Sequence, residues 1–335
     1  MVKVVFVGLL LTVFRAVADD VVQSTPGGSI NWTEGYIYAD GYGTARPDIT
    51  IAAQRRLLSR RAAVVDAQRN LLEITKGVRI TSMTKVVDMM VDSTVTASRV
   101  EGVVKGAVIS SEHYQNDVYV VTMKMPIAGK LLQAVVQPPQ TGWLIEPAPS
   151  LRLDLRSLVA GSMDTVLGLL VPRAMAAENF RFDSEDEAVA ARRILAWIEA
   201  QAPADIADAL ATSLTAYEAN AAYSGLLIDA SSVGSFEIAT IPNIRDEDGN
   251  VLYPNDETSF QDIIEKRGVT YDLDLHDAIR NKRVATTPFV VNALGTYKNQ
   301  YSDLVISRED AARILGSPST RLSMNSTGVL IVVGI

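Results

Sequence analysis

The clearest hydrophobic period in the chain runs from Asp48 to Lys76. At 100° per residue, Ala53, Leu57, Val64 and Leu71 fall on one stripe, and Leu58, Val65 and Leu72 fall on the stripe beside it. Arg56, Arg60 and Asn70 point away. Arg61 and Gln68 fall between the stripes, where long stems can lie along apolar surface with their polar heads outward. The pattern predicts a long helix, opened at Pro47-Asp48 and closed by Gly77 as its C-cap. The two stripes are its expected core face.

Around this helix the period changes to that of strands. Gly35 to Gly43 alternates glycines with β-type residues and predicts a first strand. Val78 to Met83, Val103 to Ser110 and Val118 to Met125 predict three more, with a short helix or irregular turn across 92–101. Asn116-Asp117 suits a hairpin between the last two, and Pro126 ends the second. The order is strand, long helix, three strands. It predicts an α+β domain over 35–136, the helix packed on a small antiparallel sheet.

Pro138, Pro139, Pro147 and Pro149 mark a linker over 137–150. A helical segment is predicted over 151–222, its last helix rich in alanine. Leu158 to Val171 is too short and too polar for a bilayer core, which takes about 20 residues, and reads as a buried helix. The remainder, 223–335, reads as a β-rich α+β domain. Its strands are expected at Leu226–Ala230, Phe236–Ile241, Asn250–Tyr253, Thr287–Ala293 and Val329–Val333. A short helix is expected from Ser307 as N-cap to Leu315.

The first residues follow a different pattern. Lys3 precedes an apolar run from Val4 to Phe14, and Ala16-Val17-Ala18 places small residues at −3 and −1 of a cleavage site. Residues 1–18 are therefore expected to be a signal peptide, with export to the periplasm or outer membrane. Residues 19–34 are polar and carry Gly and Pro, and read as a flexible mature N-terminus. No cysteine follows the cleavage site, so an acyl anchor on cysteine is excluded, and retention would rest on the protein's own surfaces. No transmembrane helix is expected in the mature chain.

Composition narrows the chemistry. There is no cysteine, which removes thiolate catalysis, cysteine–zinc sites, iron–sulfur clusters and disulfides. The only histidines, His113 and His276, read as surface or strand-edge residues. The formal charge is −8, and without Lys3 and Arg15 it becomes −10. With no basic domain to reverse this locally, nucleic acid is not an expected partner. No phosphate loop, nucleophile elbow or HExxH motif occurs. No cofactor and no enzymatic activity are expected.

One acidic constellation stands out. Asp246, Asp248, Asn250 and Glu257 occupy positions 1, 3, 5 and 12 of a calcium-loop pattern, which needs hard oxygen ligands at those steps. Position 6, normally glycine, is Val251, and Pro254 falls inside the loop. Asp248-Gly249 between β-type runs is by default a hairpin turn. Asp183, Glu185, Asp186 and Glu187 open a helix, where carboxylates favour the dipole.

Four pieces of 36–126 occur together: Gly41-Tyr42-Gly43-Thr44-Ala45, the helix run Ala62 to Leu72, Gly77-Val78, and Val100-Glu101-Gly102 with Gly106-Ala107. This segment resembles the domain shared by small outer-membrane lipoproteins of the Lpp type and the flagellar proteins FlgP and FlgT. The resemblance implies a helix-on-sheet domain used for assembly in the envelope, in flagellated cells as rings or disks. It implies no catalytic residue. The expected function is thus a non-enzymatic structural or assembly protein of the bacterial cell envelope, flagellum-associated by that resemblance. Its expected partners are further copies of itself, as a homo-oligomer, or other envelope or flagellar proteins. The alternatives are an exported binding module for calcium, peptidoglycan or lipid, and a hydrolase working through two carboxylates.

Overall fold

The structure, a computed structural model, describes residues 19–138, 222–284 and 287–334, together with Val189, Ala191, Arg192, Thr212 and Leu214. The expected signal peptide, nearly all of the linker over 137–150, and the segment 151–222 apart from the residues just named and Ala222 lie outside the described residues. The architecture is α+β. Among the described residues it is built on two sheets.

The first sheet is antiparallel throughout. It comprises β1 (Val22–Thr25), β2 (Gly28–Asn31), β3 (Tyr36–Thr44), β4 (Val108–Gln115) and β5 (Val118–Pro126), in the order β1-β2-β3-β5-β4. Asn116 and Asp117 both take positive φ, 51° and 63°, as the tight turn between β4 and β5 requires. Residues 19–34, expected to be loose, instead form the β1–β2 hairpin, with Val21, Ile30 and Trp32 buried. Short polar strands carry little sequence signal; their order comes from pairing with β3.

Helix α1 (Ala52–Gly77) crosses this sheet. Its buried residues are Ser59, Ala63, Ala67, Leu71, Ile74 and Thr75. Small residues at every fourth position let the helix backbone come down on β3. A Cβ on Gly41 would lie 2.2 Å from the Ala63 carbonyl oxygen and from the Ala67 nitrogen, and one on Gly43 would lie 2.1 Å from the Ser59 carbonyl oxygen. This contact corrects the expected core face. Leu57, Leu58 and Val65 are exposed, Val64 and Leu72 are only partly buried, and Leu71 alone of the large residues in the two stripes is enclosed. α1 also serves the free edge of β3. β2 pairs only as far as Ala39, and beyond it the Tyr42 N–H donates to Asp66 Oδ2 (3.0 Å) while Asn70 Nδ2 donates to the Asp40 carbonyl (2.7 Å).

After α1 the expected strand over 78–83 is reduced to one bridge, Arg79 to Lys85. Helices α2 (Val86–Asp92), α3 (Thr94–Lys105) and α4 (Lys130–Val135) complete this half.

The second sheet holds β6 (Gly225–Ala230), β7 (Ile244–Arg245), β8 (Val251–Tyr253), β9 (Thr270–Asp272), β10 (Pro288–Tyr297), β11 (Gln300–Ile306) and β12 (Val329–Val333), in the order β8-β7-β11-β10-β6-β12-β9. β6 runs parallel to both β10 and β12, and β12 parallel to β9; the pairs β10–β11 and β7–β8 are antiparallel. The unbroken apolar runs of β6 and β12 reflect cover on both faces. Leu226, Ile228 and Ile331 enter the main core, whereas Leu227, Leu330 and Val332 pack with Ala278 and Val284 on the other side. Among the described residues four helices flank the sheet: α5 (Phe260–Lys266), α6 (Leu275–Ile279), α7 (Arg308–Gly316) and α8 (Pro318–Asn325). Ser307 caps α7 as expected, accepting from the Asp310 N–H at 2.9 Å. Residues 236–241 are not a strand; Thr240 and Ile241 donate instead to the Arg79 and Ile80 carbonyls of the first half.

The two halves meet around Arg267. Its guanidinium is buried and donates from Nη1 to the Trp32 carbonyl (2.7 Å) and from Nη2 to Thr270 Oγ1 (3.0 Å) and the Thr33 carbonyl (3.3 Å). Desolvation pulls its pKa down to about 10, so at neutral pH it remains a cation, compensated by neutral acceptors. Trp32 meets Tyr271 edge to face at 6.1 Å, and Thr33 Oγ1 donates to the Tyr271 carbonyl. Gly35, at φ 77°, leaves the space this needs, since a Cβ there would sit 2.7 Å from Arg267 Cζ. Arg267 itself stands at φ 69° and ψ 165°, a region that costs a side-chain-bearing residue about 1–3 kcal/mol.

Two predictions follow from these contacts. Gly41→Ala should lose about 1–3 kcal/mol in urea unfolding by forcing α1 off β3, whereas Gly77→Ala, with open space around it, should be neutral or stabilising. Arg267→Met should lose about 3 kcal/mol by stranding the Trp32 and Thr33 carbonyls. Arg267→Gly should lose less than the Met variant, because it relieves the backbone; the same unfolding curves read the difference.

Candidate interaction surface

The outward side of α1 carries the side chains that its close contact with β3 leaves over. Leu58, Val65 and Leu72 recur every seven residues, with Ala62 between the first two. Tyr42 reaches the same area from β3, at an exposed position of the strand. Tyr42, Leu58, Ala62 and Val65 share one shallow groove of about 520 Å³, bordered by Arg61, Asp66 and Arg69. Val65 is 61% exposed and Tyr42 59%. Exposed apolar side chains that adjoin one another are candidates for contact with other molecules, unlike apolar residues scattered singly.

The surface is also basic. α1 carries Arg55, Arg56, Arg60, Arg61, Arg69 and Lys76 against Asp66 and Glu73. Several are paired: Arg60 with Glu112 at 2.8 Å, Arg69 with Asp66 at 2.7 Å, Lys76 with Glu73 at 2.8 Å. The Arg60 guanidinium is held above its ordinary range by Glu112. Arg61 is exposed, and among the described residues it has no ion-pair partner. Its cation is thus available beside the groove.

The proposed calcium residues are placed otherwise. Asp246 accepts from the Asn250 N–H and Nδ2, both at 2.8 Å, and these bonds hold its carboxyl below the usual range. Gly249, at φ 89°, completes the β7–β8 turn. Asp248 turns to Arg308, with Oδ1 2.7 Å from Nη2, and Glu257 accepts from Asn325 Nδ2 at 2.8 Å. Asp246, Asp248, Asn250 and Glu257 therefore form a hairpin turn and two separate surface contacts. Among the described residues no group of three or more His, Cys, Asp or Glu is arranged to hold a metal ion.

Other acidic residues are also absorbed structurally. Asp274 caps α6, accepting from the His276 and Asp277 N–H groups. Asp272 is buried, which raises its pKa, and accepts from the N–H groups of the next two residues. Asp303 is fully enclosed and takes donors from Arg245 (2.8 Å) and Asn243 (3.0 Å). His113 and His276 are exposed.

Periodicity alone missed the exposed position of Leu58 and Val65 because it assigns the largest apolar residues to the core. The signal that locates them is the pairing of Gly41-x-Gly43 with the small residues Ser59, Ala63 and Ala67. Among the described residues no helix is long and apolar enough to cross a membrane.

A family model described as the second domain of Treponema pallidum Tp0624 matches residues 225–334, from β6 to β12. No curated protein matches the chain.

Calorimetric titration with calcium is expected to give no saturable heat. Asp248→Ala should lower thermal stability only slightly, through loss of the solvent-screened Arg308 pair. Saturable calcium binding abolished by that substitution would restore the loop reading.

Proposed function

We propose that this chain is a non-enzymatic assembly protein of the bacterial cell envelope, associating with further copies of itself through the outer face of α1. The observation that carries this reading is the exposed seam of Tyr42, Leu58, Ala62 and Val65, flanked by the exposed Arg61, which has no ion-pair partner among the described residues. Charge supplies the partner. The seam lies on a basic helix of a chain whose formal charge is −8, so the rest of the chain is acidic on balance and can offer it a complementary face. A basic apolar face docking on a different, acidic face of the next copy is a heterologous contact. Repeated, such contacts close into rings or extend into filaments. The resemblance of residues 36–126 to envelope and flagellar assembly domains supports the same role, as a ring or disk component. The leader over 1–18 supports export to the periplasm or outer membrane.

Light scattering on the mature chain 19–335 is expected to show masses above the monomer that fall with rising salt. The double substitution Leu58→Glu, Val65→Glu should return the protein to a monomer with an unchanged melting temperature, since neither side chain enters the core. A strict monomer at every concentration and salt would refute the proposal.

A further inference from the structure

A second surface feature lies on the same half, where the C-terminal turns of α3, the end of β5 and α4 enclose a half-open groove of about 940 Å³. This is near the upper end of the ~300–1,000 Å³ typical of small-molecule sites. Val103, Ala107, Val108 and Ala134 make its accessible apolar lining, over the buried Met125 and Leu131. Gly102 and Gly106 widen it by withholding side chains from the exposed side of α3. A Cβ on Gly102 would have nothing within 4 Å.

The rim is cationic. Arg99, Lys124 and Lys130 line the groove, and among the described residues no Asp or Glu does. In a chain with 39 acidic residues against 31 basic ones, that exclusion points to the ligand's charge. Among the described residues none of the three cations is in an ion pair; Lys124 Nζ rests over the Tyr36 ring at 5.2 Å. Arg99 and Lys130 are exposed. An apolar floor with charge confined to the edge fits a molecule apolar along its length and anionic at one end.

We infer that this groove binds a single-chain anionic amphiphile, a long-chain fatty acid, with the acyl chain along Val103, Ala107, Val108 and Ala134 and the carboxylate at Arg99, Lys124 and Lys130. The site is separate from the outer face of α1 and does not depend on self-association.

The test is calorimetric titration of the mature chain with octanoate, decanoate and dodecanoate below micelle formation, and with dodecanol. Affinity should rise about fourfold per added methylene, the increment for burying one CH₂, and dodecanol should bind more weakly than dodecanoate. Gly102→Leu fills the groove without a steric clash and favours the helix; it should abolish dodecanoate binding while leaving the melting temperature equal or higher. The exposed pair Arg99→Gln, Lys130→Gln should weaken dodecanoate about tenfold and leave dodecanol unchanged. Equal binding of dodecanol and dodecanoate, no dependence on chain length, or full binding by Gly102→Leu would each overturn the inference. Loss of self-association in Gly102→Leu, with no binding of dodecanoate by the parent protein, would assign the groove to a second copy and overturn it as well.

Discussion

Helix α1 lies so close to β3 that backbone meets backbone across Gly41 and Gly43 on one side and Ser59, Ala63 and Ala67 on the other. Such an approach is open only to residues with little or no side chain at the contact. It also brings Asp66 and Asn70 within reach of the β3 edge that β2 leaves unpaired. The cost is that the helix cannot use its largest aliphatic residues for burial along this stretch. Leu58 and Val65 are displaced to the solvent side, and the surface proposed for assembly is a direct consequence of how the core is made.

The joint between the sheets rests on a different kind of contact. Beside the shared apolar core, a buried guanidinium satisfies backbone carbonyls some 230 residues away in sequence, at Trp32 and Thr33. Such bonds are directional, and removing either side leaves a buried polar group unpaired. They tie the β1–β2 hairpin to the turn after α5. Thr240 and Ile241 add two more backbone bonds to the Arg79 and Ile80 carbonyls. The two sheets therefore share one hydrophobic core while keeping separate strand topologies.

The exposed chemistry of the first half is uneven in sign. The chain is acidic overall, yet α1 and the rim of the α3–α4 groove both concentrate cations next to apolar surface. Apolar contact supplies most of the favourable free energy of association, and complementary charge sets orientation and partner choice. The groove is enclosed enough for a small amphiphile. The α1 seam is shallow and suits a protein surface.

Local sequence determined the elements whose signals are local. The long helix, the Asn116-Asp117 hairpin, the Ser307 cap and the apolar strands at 226–230 and 329–333 were legible because periodicity, turn chemistry and capping act over a few residues. Tertiary structure decided what depends on neighbours distant in sequence. It set which side of α1 is buried, because glycines in another element select the small residues. It ordered residues 19–34, because those strands exist only through their pairing with β3. It gave Asp246, Asp248 and Glu257 separate partners, since spacing along a chain does not fix where side chains converge. Nothing in the sequence singles out Arg267; packing against Trp32, Thr33 and Gly35 makes it the link between the halves.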